Sequence, residues 1–338
     1  MKKKDQGASC PRVDIGGQAV LDGVMMKSPE AIAVAVRRPN GDIVVKRDAY
    51  ESPAKKHKWM GKPFIRGTVS MVQMLGIGMK TISDSADMAG MEAEEPSKFE
   101  KWLAEKLGKN VDKVVMGMAV LVAVCFSIGL FVLIPNVVVM LFPASATGGT
   151  LLMKNLVSGV VRIGILMAYI GLCGKIPEMR RTFQYHGSEH KTVYCHEHDL
   201  PLTPKNAQQF STLHPRCGTS FLLLTFVLSI LFYSIIDVLV LQLTGFDLGG
   251  NYILRVLSRL ILLPCITGIG YEALKGLAHS DGPLVRALRW PGMQMQRLTT
   301  RQPTDEMCEV AIVSMNAALN GLPEGETTPE GWVILPEK

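Results

Sequence analysis

Five of the seven histidines, His186, His190, His196, His198 and His214, fall within residues 175–218, where even scatter would place about one. The first two stand in His186-Gly187-Ser188-Glu189-His190. On a helix this spacing sets both imidazoles one turn apart on the same side, an arrangement that can chelate one divalent ion. Neutral imidazole is the usual ligand of zinc, and a carboxylate held beside the ligands can act as general base, a role that falls to Glu189. Gly187 costs such a helix about 1 kcal/mol relative to Ala, so a loop geometry stays open.

A second cluster follows in His214-Pro215-Arg216-Cys217-Gly218, just before a long apolar run. A thiol at a helix amino terminus tends toward the thiolate, which makes Cys217 a candidate ligand or nucleophile and His214 a further ligand. Glu272 lies near the end of another apolar run, where a carboxylate is costly unless paired or bound to a cation, and it is the preferred third or fourth ligand. Lys191 and Arg216 are candidates to orient an anionic or carbonyl group. The plainer readings are that His and Arg meet lipid phosphates and that Cys217 is helix packing. His196 and His198 are expected to face solvent.

Four apolar stretches must position these residues: 114–142, 151–174, 219–243 and 252–275 each suffice to cross a hydrocarbon core of about 30 Å. Residues 143–150 and 244–251 carry no Lys or Arg, whereas the loop 175–218 carries six. Basic loops stay inside, so both termini and the His-rich loop are expected in the cytoplasm of a bacterial cell with the chain in its inner membrane. Arg162, Asp237 and Arg259 interrupt the apolar runs and are expected to act as packing glue between helices rather than as an ion path. The seven cysteines include no Cys-x-x-Cys pair and no disulfide spacing, and the basic amino terminus lacks the apolar core of a signal peptide. The net charge of +6 is carried mostly by Lys and Arg near the amino terminus and in segments flanking the apolar runs, which suits a lipid bilayer better than nucleic acid.

The fold expected is an α-helical polytopic membrane protein with a small α+β amino-terminal cytoplasmic unit. That unit takes residues 1–100, the membrane domain 101–277 and a cytoplasmic tail with a short helix 278–338. Ala31–Val36 and Asp42–Lys46 flank Asn40-Gly41, a hairpin turn. Val69, Val72, Leu75, Met79 and Ile82 recur at helical spacing, predicting an amphipathic helix that packs on the sheet or lies on the membrane surface. Residues after Gly321 read as loosely ordered.

Five motifs carry a resemblance: residues 16–26 (GGQAVLDGVMM), 63–67 (PFIRG), 185–191 (YHGSEHK), 214–221 (HPRCGTSF) and 296–300 (QRLTT). Over nearly the whole chain the sequence resembles the YqhQ-type family of bacterial membrane proteins, described as predicted metal-dependent enzymes. Asp22 stands where Glu is expected in the first motif. The resemblance implies a multi-pass location and a metal site at His186 and His190, and the order of the third motif is similar to that of inverted zinc peptidases. Two functions compete. One is a hydrolase dependent on a divalent metal, zinc first, acting on a lipid or peptide substrate at the cytoplasmic membrane face. The other is a transporter or scaffold whose metal site is structural or sensory.

Overall fold

The computed structural model describes residues 15–89, 111–142, 147–248, 252–278 and 282–337. The chain opens on four strands, β1 Gly16–Val20, β2 Gly23–Lys27, β3 Ala31–Arg37 and β4 Ile43–Ala49, followed by helix α1 Ile65–Met88. Helix α2 Val111–Ile128 runs through a π-helical turn, Gly129–Leu133, into α3 Ile134–Met140. Pro135 opens α3; it has no N–H to give the preceding turn, a cause that accounts for the local widening. Then come α4 Gly148–Cys173, α5 Pro177–Glu197, α6 Gly218–Thr244, α7 Tyr252–Ala278, α8 Pro283–Thr299, α9 Asp305–Asn320 and the strands β5 Glu326–Thr327 and β6 Val333–Leu335. Two compact units result. One takes residues 15–89, 171–221 and 271–337; the other takes 111–170 and 222–270.

The first unit is built on an antiparallel sheet of order β1-β2-β3-β4-β6-β5. Asp22 turns the first hairpin at φ 48°, a conformation that Asp tolerates better than most side chains, and pairs with Arg181 of α5. Gly41, at φ 93°, closes the β3–β4 hairpin at the Asn-Gly turn expected from the sequence. Each face of the sheet is covered. Val24, Met26, Ala33 and Ala35 pack with Tyr185 and Val193 of α5 and with Val310, Ala311 and Met315 of α9. Val20, Met25, Val34, Val36 and Val44 form the other face with Trp332, against Met74, Ile77 and Met88 of α1. Burial on both sides explains why β3 reads as an unbroken apolar run rather than an alternating one. Full burial of a side chain such as Met25 or Met26 contributes about 1.5–3 kcal/mol.

Two features differ from the sequence expectation. Residues after Gly321 are not loose: β5 and β6 form a hairpin, and β6 pairs with β4 through Ile43, Val44 and Val45. Helix α1 does pack on the sheet, but by a different face from the apolar stripe. Met74, Ile77, Gly78, Thr81 and Ser85 turn inward, whereas Val72, Leu75, Met79 and Ile82 stay exposed. The buried positions are partly small or hydroxylic, so apolar periodicity selects the wrong side.

The second unit is helical. Among the described residues, four helices are long and apolar enough to cross a membrane, at Gly117–Met140, Gly148–Cys173, Gly218–Thr244 and Val256–Leu277. Gly159 of α4 admits Ile230 of α6 so closely that a methyl group there would overlap it. Beside this crossing, Arg259 donates to both carboxylate oxygens of Asp237 at 2.9 and 2.5 Å, and Asn155 Nδ2 donates to Asp237 Oδ2 at 2.8 Å. The Arg259 guanidinium also lies 4.3 Å from the centre of the Tyr233 ring.

Candidate metal centre

Helix α5 carries His186, Glu189 and His190 on one side, and the turn before α6 brings Cys217 to them. One donor atom from each of His186, His190 and Cys217 lies within 4.8 Å of the others, a group competent to hold a metal ion. His190 is almost fully buried, and His186 and Cys217 are half-buried.

What orients these rings lies far away in sequence. His190 Nδ1 sits 2.5 Å from the carbonyl oxygen of Thr212, and His186 Nδ1 sits 2.9 Å from that of Thr299. A carbonyl oxygen only accepts, so each Nδ1 carries the proton and each Nε2 presents a lone pair. His186 Nε2 faces Cys217 Sγ at 3.3 Å. His190 Nε2, buried, has no hydrogen-bond partner. A backbone carbonyl fixing the tautomer of a ligating imidazole is the usual outer shell of a metal site.

Glu189 completes the cluster. Its Oε1 accepts the N–H of Gly17 at 3.1 Å, and its Oε2 lies 3.8 Å from His186 Nε2 and 3.6 Å from His190 Nε2. Ligand atoms around a tetrahedral zinc with bonds near 2.0–2.1 Å stand about 3.4 Å apart, so a cation fits between these atoms with small adjustments. A donor set of two imidazoles and a thiol is of the softer kind that suits transition ions better than a hard cation such as magnesium. Gly17 has no room for a side chain, because a methyl group would overlap both the Met25 carbonyl and the Glu189 side chain.

The remaining sequence candidates are placed as follows. His214 is buried, its Nδ1 accepts the backbone N–H of Arg216 at 3.3 Å, and its Nε2 faces Glu197 at 3.3 Å. Burial holds its imidazole below the usual histidine range, and both ring nitrogens are engaged within the protein. Arg216 pairs with the same Glu197. Lys191 is buried, its ammonium donating to the carbonyls of Gln208 and Phe210 at 3.0 and 2.6 Å, so it ties down the loop after α5. Glu272 accepts from Arg66 Nε at 2.7 Å and Nη2 at 2.5 Å, and it is not in the donor group around His186. His198 is exposed and His196 half-buried.

Sequence reasoning missed Thr212 and gave no role to Thr299, although 296–300 is one of the motifs of the resemblance; both act through backbone carbonyls that any residue type supplies. Gln296 of the same motif was likewise given no role; its buried side-chain amide accepts the His214 N–H at 2.7 Å, donates to the His214 carbonyl at 2.7 Å and donates to Ser220 Oγ at 2.9 Å. That triple bond set holds the turn that delivers Cys217. Gly187, a cost to the helix in isolation, has its reason here: a methyl group would overlap the Arg301 carbonyl oxygen.

Two cavities adjoin the centre. One, about 480 Å³, is bordered by Glu189, His190, Arg216 and Cys217; the other, about 570 Å³, reaches His186 and Cys217. The family model described as "Protein of unknown function (DUF1385)" matches residues 62–321, a span that contains every ligand candidate. The chain belongs to the DUF1385 family. It is also 32% identical over 330 residues to "Uncharacterized protein YqhQ" of Bacillus subtilis (strain 168), covering 94% of this chain and 97% of that protein. Among solved structures, none matches. This DUF1385 member therefore carries its candidate metal centre inside the family segment, with Gly17 reaching it from outside.

Proposed function

We propose that the chain is a four-span membrane protein of the bacterial inner membrane, with both termini and the His-rich loop in the cytoplasm, and that it is a metal-dependent hydrolase. The observation that carries the reading is the pair of imidazoles whose Nδ1 protons are spent on the Thr212 and Thr299 carbonyls, leaving Nε2 lone pairs beside Cys217 and a buried carboxylate. Burying those groups together is costly unless something charged binds between them.

In this reading His186, His190 and Cys217 hold a divalent ion, zinc first. Such an ion supplies Lewis-acid polarisation of a carbonyl or phosphoryl group and an acidified water. Glu189, anchored through Oε1 by the Gly17 N–H, keeps Oε2 free to take up a proton, and Arg216 stands at the cavity wall where an anionic group would be oriented. In the second unit Asp237 is held by Arg259 and Asn155, which supports packing glue at that position, whereas a cavity of about 270 Å³ lined by Arg162 and Arg259 is the feature on which a transporter reading would rest. A metal scaffold without turnover is the competing outcome.

The test is elemental mass spectrometry on detergent-purified protein, wild type against a His186→Ala/His190→Ala double variant, with folding checked by circular dichroism. Near-stoichiometric zinc that disappears in the variant supports the centre, and Glu189→Gln then separates hydrolase from scaffold by retaining metal while losing turnover. Absence of metal in wild type, even after reconstitution with zinc, manganese and iron, removes the reading.

A further inference from the structure

Helix α1 has two faces in different surroundings. Its inner side packs on the sheet, and its Ser85 hydroxyl accepts the N–H of Leu21. Along its outer side Ile65, Val72, Leu75, Met79 and Ile82 stand between 40% and 65% exposed. The five share one side of the helix over about 25 Å. Single exposed apolar residues are ordinary on a water-soluble surface, whereas a continuous row marks a contact.

The start of α1 points to what is contacted. Glu272 Oε1 accepts the N–H of Phe64 at 3.3 Å, and Arg66 donates to both of its carboxylate oxygens. Glu272 stands within the last two turns of the membrane-length helix Val256–Leu277, so α1 begins where that apolar helix runs out; all of these residues belong to the first unit. Phe64 is held at φ 68°, a conformation that a bulky side chain adopts at a cost, and its ring is exposed. Residues 53–64 carry four Lys and no Asp or Glu, and Lys55, Lys58 and Lys62 are exposed, as is Trp59 among them. Lys80 adds nothing to this charge, because it pairs with Asp48, and the acidic residues of α1, Asp84 and Asp87, fall in its last two turns. Lysines and exposed aromatics at one end of an apolar stripe are the chemistry of a helix lying in a membrane interface.

We propose that the outer face of α1 and the segment before it form an in-plane membrane anchor for anionic phospholipid. The stripe from Ile65 to Ile82 rests among acyl chains just below the headgroups, Trp59 and Phe64 lie at headgroup level, and Lys55, Lys58 and Lys62 select the anionic lipid. The inference rests on the reading that the apolar helices span a membrane and not on the metal centre. It has a consequence for that centre all the same. Gly78 on the inner face of α1 lies against Gln18 of β1, and Gly17 of the same strand holds Glu189, so the anchor keeps the strand that positions the candidate base at the bilayer surface.

Photocrosslinking of the full chain tests this, in nanodiscs of phosphatidylcholine with a minority of phosphatidylglycerol. The photoreactive p-benzoylphenylalanine replaces Leu75, Trp59 or, as a reference on a membrane-length helix, the exposed Val122, and intact mass identifies what each captures. Lipid adducts are expected at Leu75 as at Val122. At Trp59 phosphatidylglycerol is expected about fivefold above its share of the bilayer, the factor that one lysine near an anionic surface supplies, dropping to about half or less of that in Lys55→Gln/Lys58→Gln/Lys62→Gln. A crosslink between two chains at Leu75 would make the stripe a contact between copies. One within the chain would show it covered by another segment, and no lipid adduct at Leu75 beside a strong one at Val122 would leave it in water. Each of these overturns the anchor. Phosphatidylglycerol captured at Trp59 in its bulk share, or indifferent to the lysine variant, overturns the selection of anionic lipid. Lipid adducts missing at Val122 as well would remove the spans themselves, and the anchor with them. Unchanged circular dichroism in every variant excludes misfolding as the cause of a loss.

Discussion

Two regions bury polar groups in an apolar setting, and they do so for opposite ends. Between α4, α6 and α7, Asp237 receives Arg259 and Asn155, so the charges answer one another within the protein. Beside α5, the imidazoles of His186 and His190 donate their Nδ1 protons in hydrogen bonds to the Thr299 and Thr212 carbonyls, and their Nε2 lone pairs lie close to Cys217 Sγ, with the Glu189 carboxylate alongside. The first cluster closes on the Asp237 carboxylate; the second is arranged as a receptor. Buried polarity alone therefore says little about function, and the direction of the lone pairs says much.

The sharpest way to break the comparison is to remove one partner from the closed cluster. Asp237→Ala leaves the Arg259 guanidinium buried without its carboxylate and is expected to cost about 3–5 kcal/mol, read as a lower melting temperature in detergent, whereas Asp237→Leu/Arg259→Leu recovers most of it. Equal melting of Asp237→Ala and wild type would show that the pair is not glue.

Gly187→Ala is the corresponding change at the open cluster. It pushes on the Arg301 carbonyl and so displaces the segment whose Thr299 carbonyl holds His186. The expected cost is about 1–3 kcal/mol of stability, with metal affinity weakened about 10- to 100-fold in a competition titration against a chelator. A stability loss with unchanged affinity would detach the Thr299 contact from the metal. The smallest effect is kinetic. Burial raises the Cys195 thiol and pushes Cys308 up to about 12, so at pH 8 both should resist maleimide in the native protein while Cys217 reacts when the metal is stripped and is shielded when it is restored. Mass mapping of labelled peptides reads the three sites separately.

Local signals were legible in the sequence where the chain answers to its neighbours. Asn40-Gly41 names its hairpin, four apolar runs name their helices, and His186 and His190 sit one turn apart because the spacing of α5 demands it. Contacts closed over long separations were not legible. Thr299 lies 113 residues from His186, and its contribution is a carbonyl oxygen common to every residue. The covered face of α1 escaped for a related reason: Gly78, Thr81 and Ser85 pack by being small or by bonding locally, and hydrophobic period does not register them. Strand β6 escaped because three residues paired to β4 carry too short a pattern to stand out.

That last strand has a consequence for how the protein is made. The sheet begins at Gly16 but its inner strand β4 gains its second neighbour only at Val333–Leu335, after all four apolar helices have been synthesised. At about 5–20 residues per second, β4 waits roughly 15–60 s with an open edge. Helix α9, which covers one face of the sheet, and the Thr299 carbonyl that aims His186 also emerge late. A ribosome stalled before residue 299 would thus hold a chain with its apolar helices complete and its candidate ligands present but His186 unaimed, so a metal bound there would be loaded only after Thr299 has emerged.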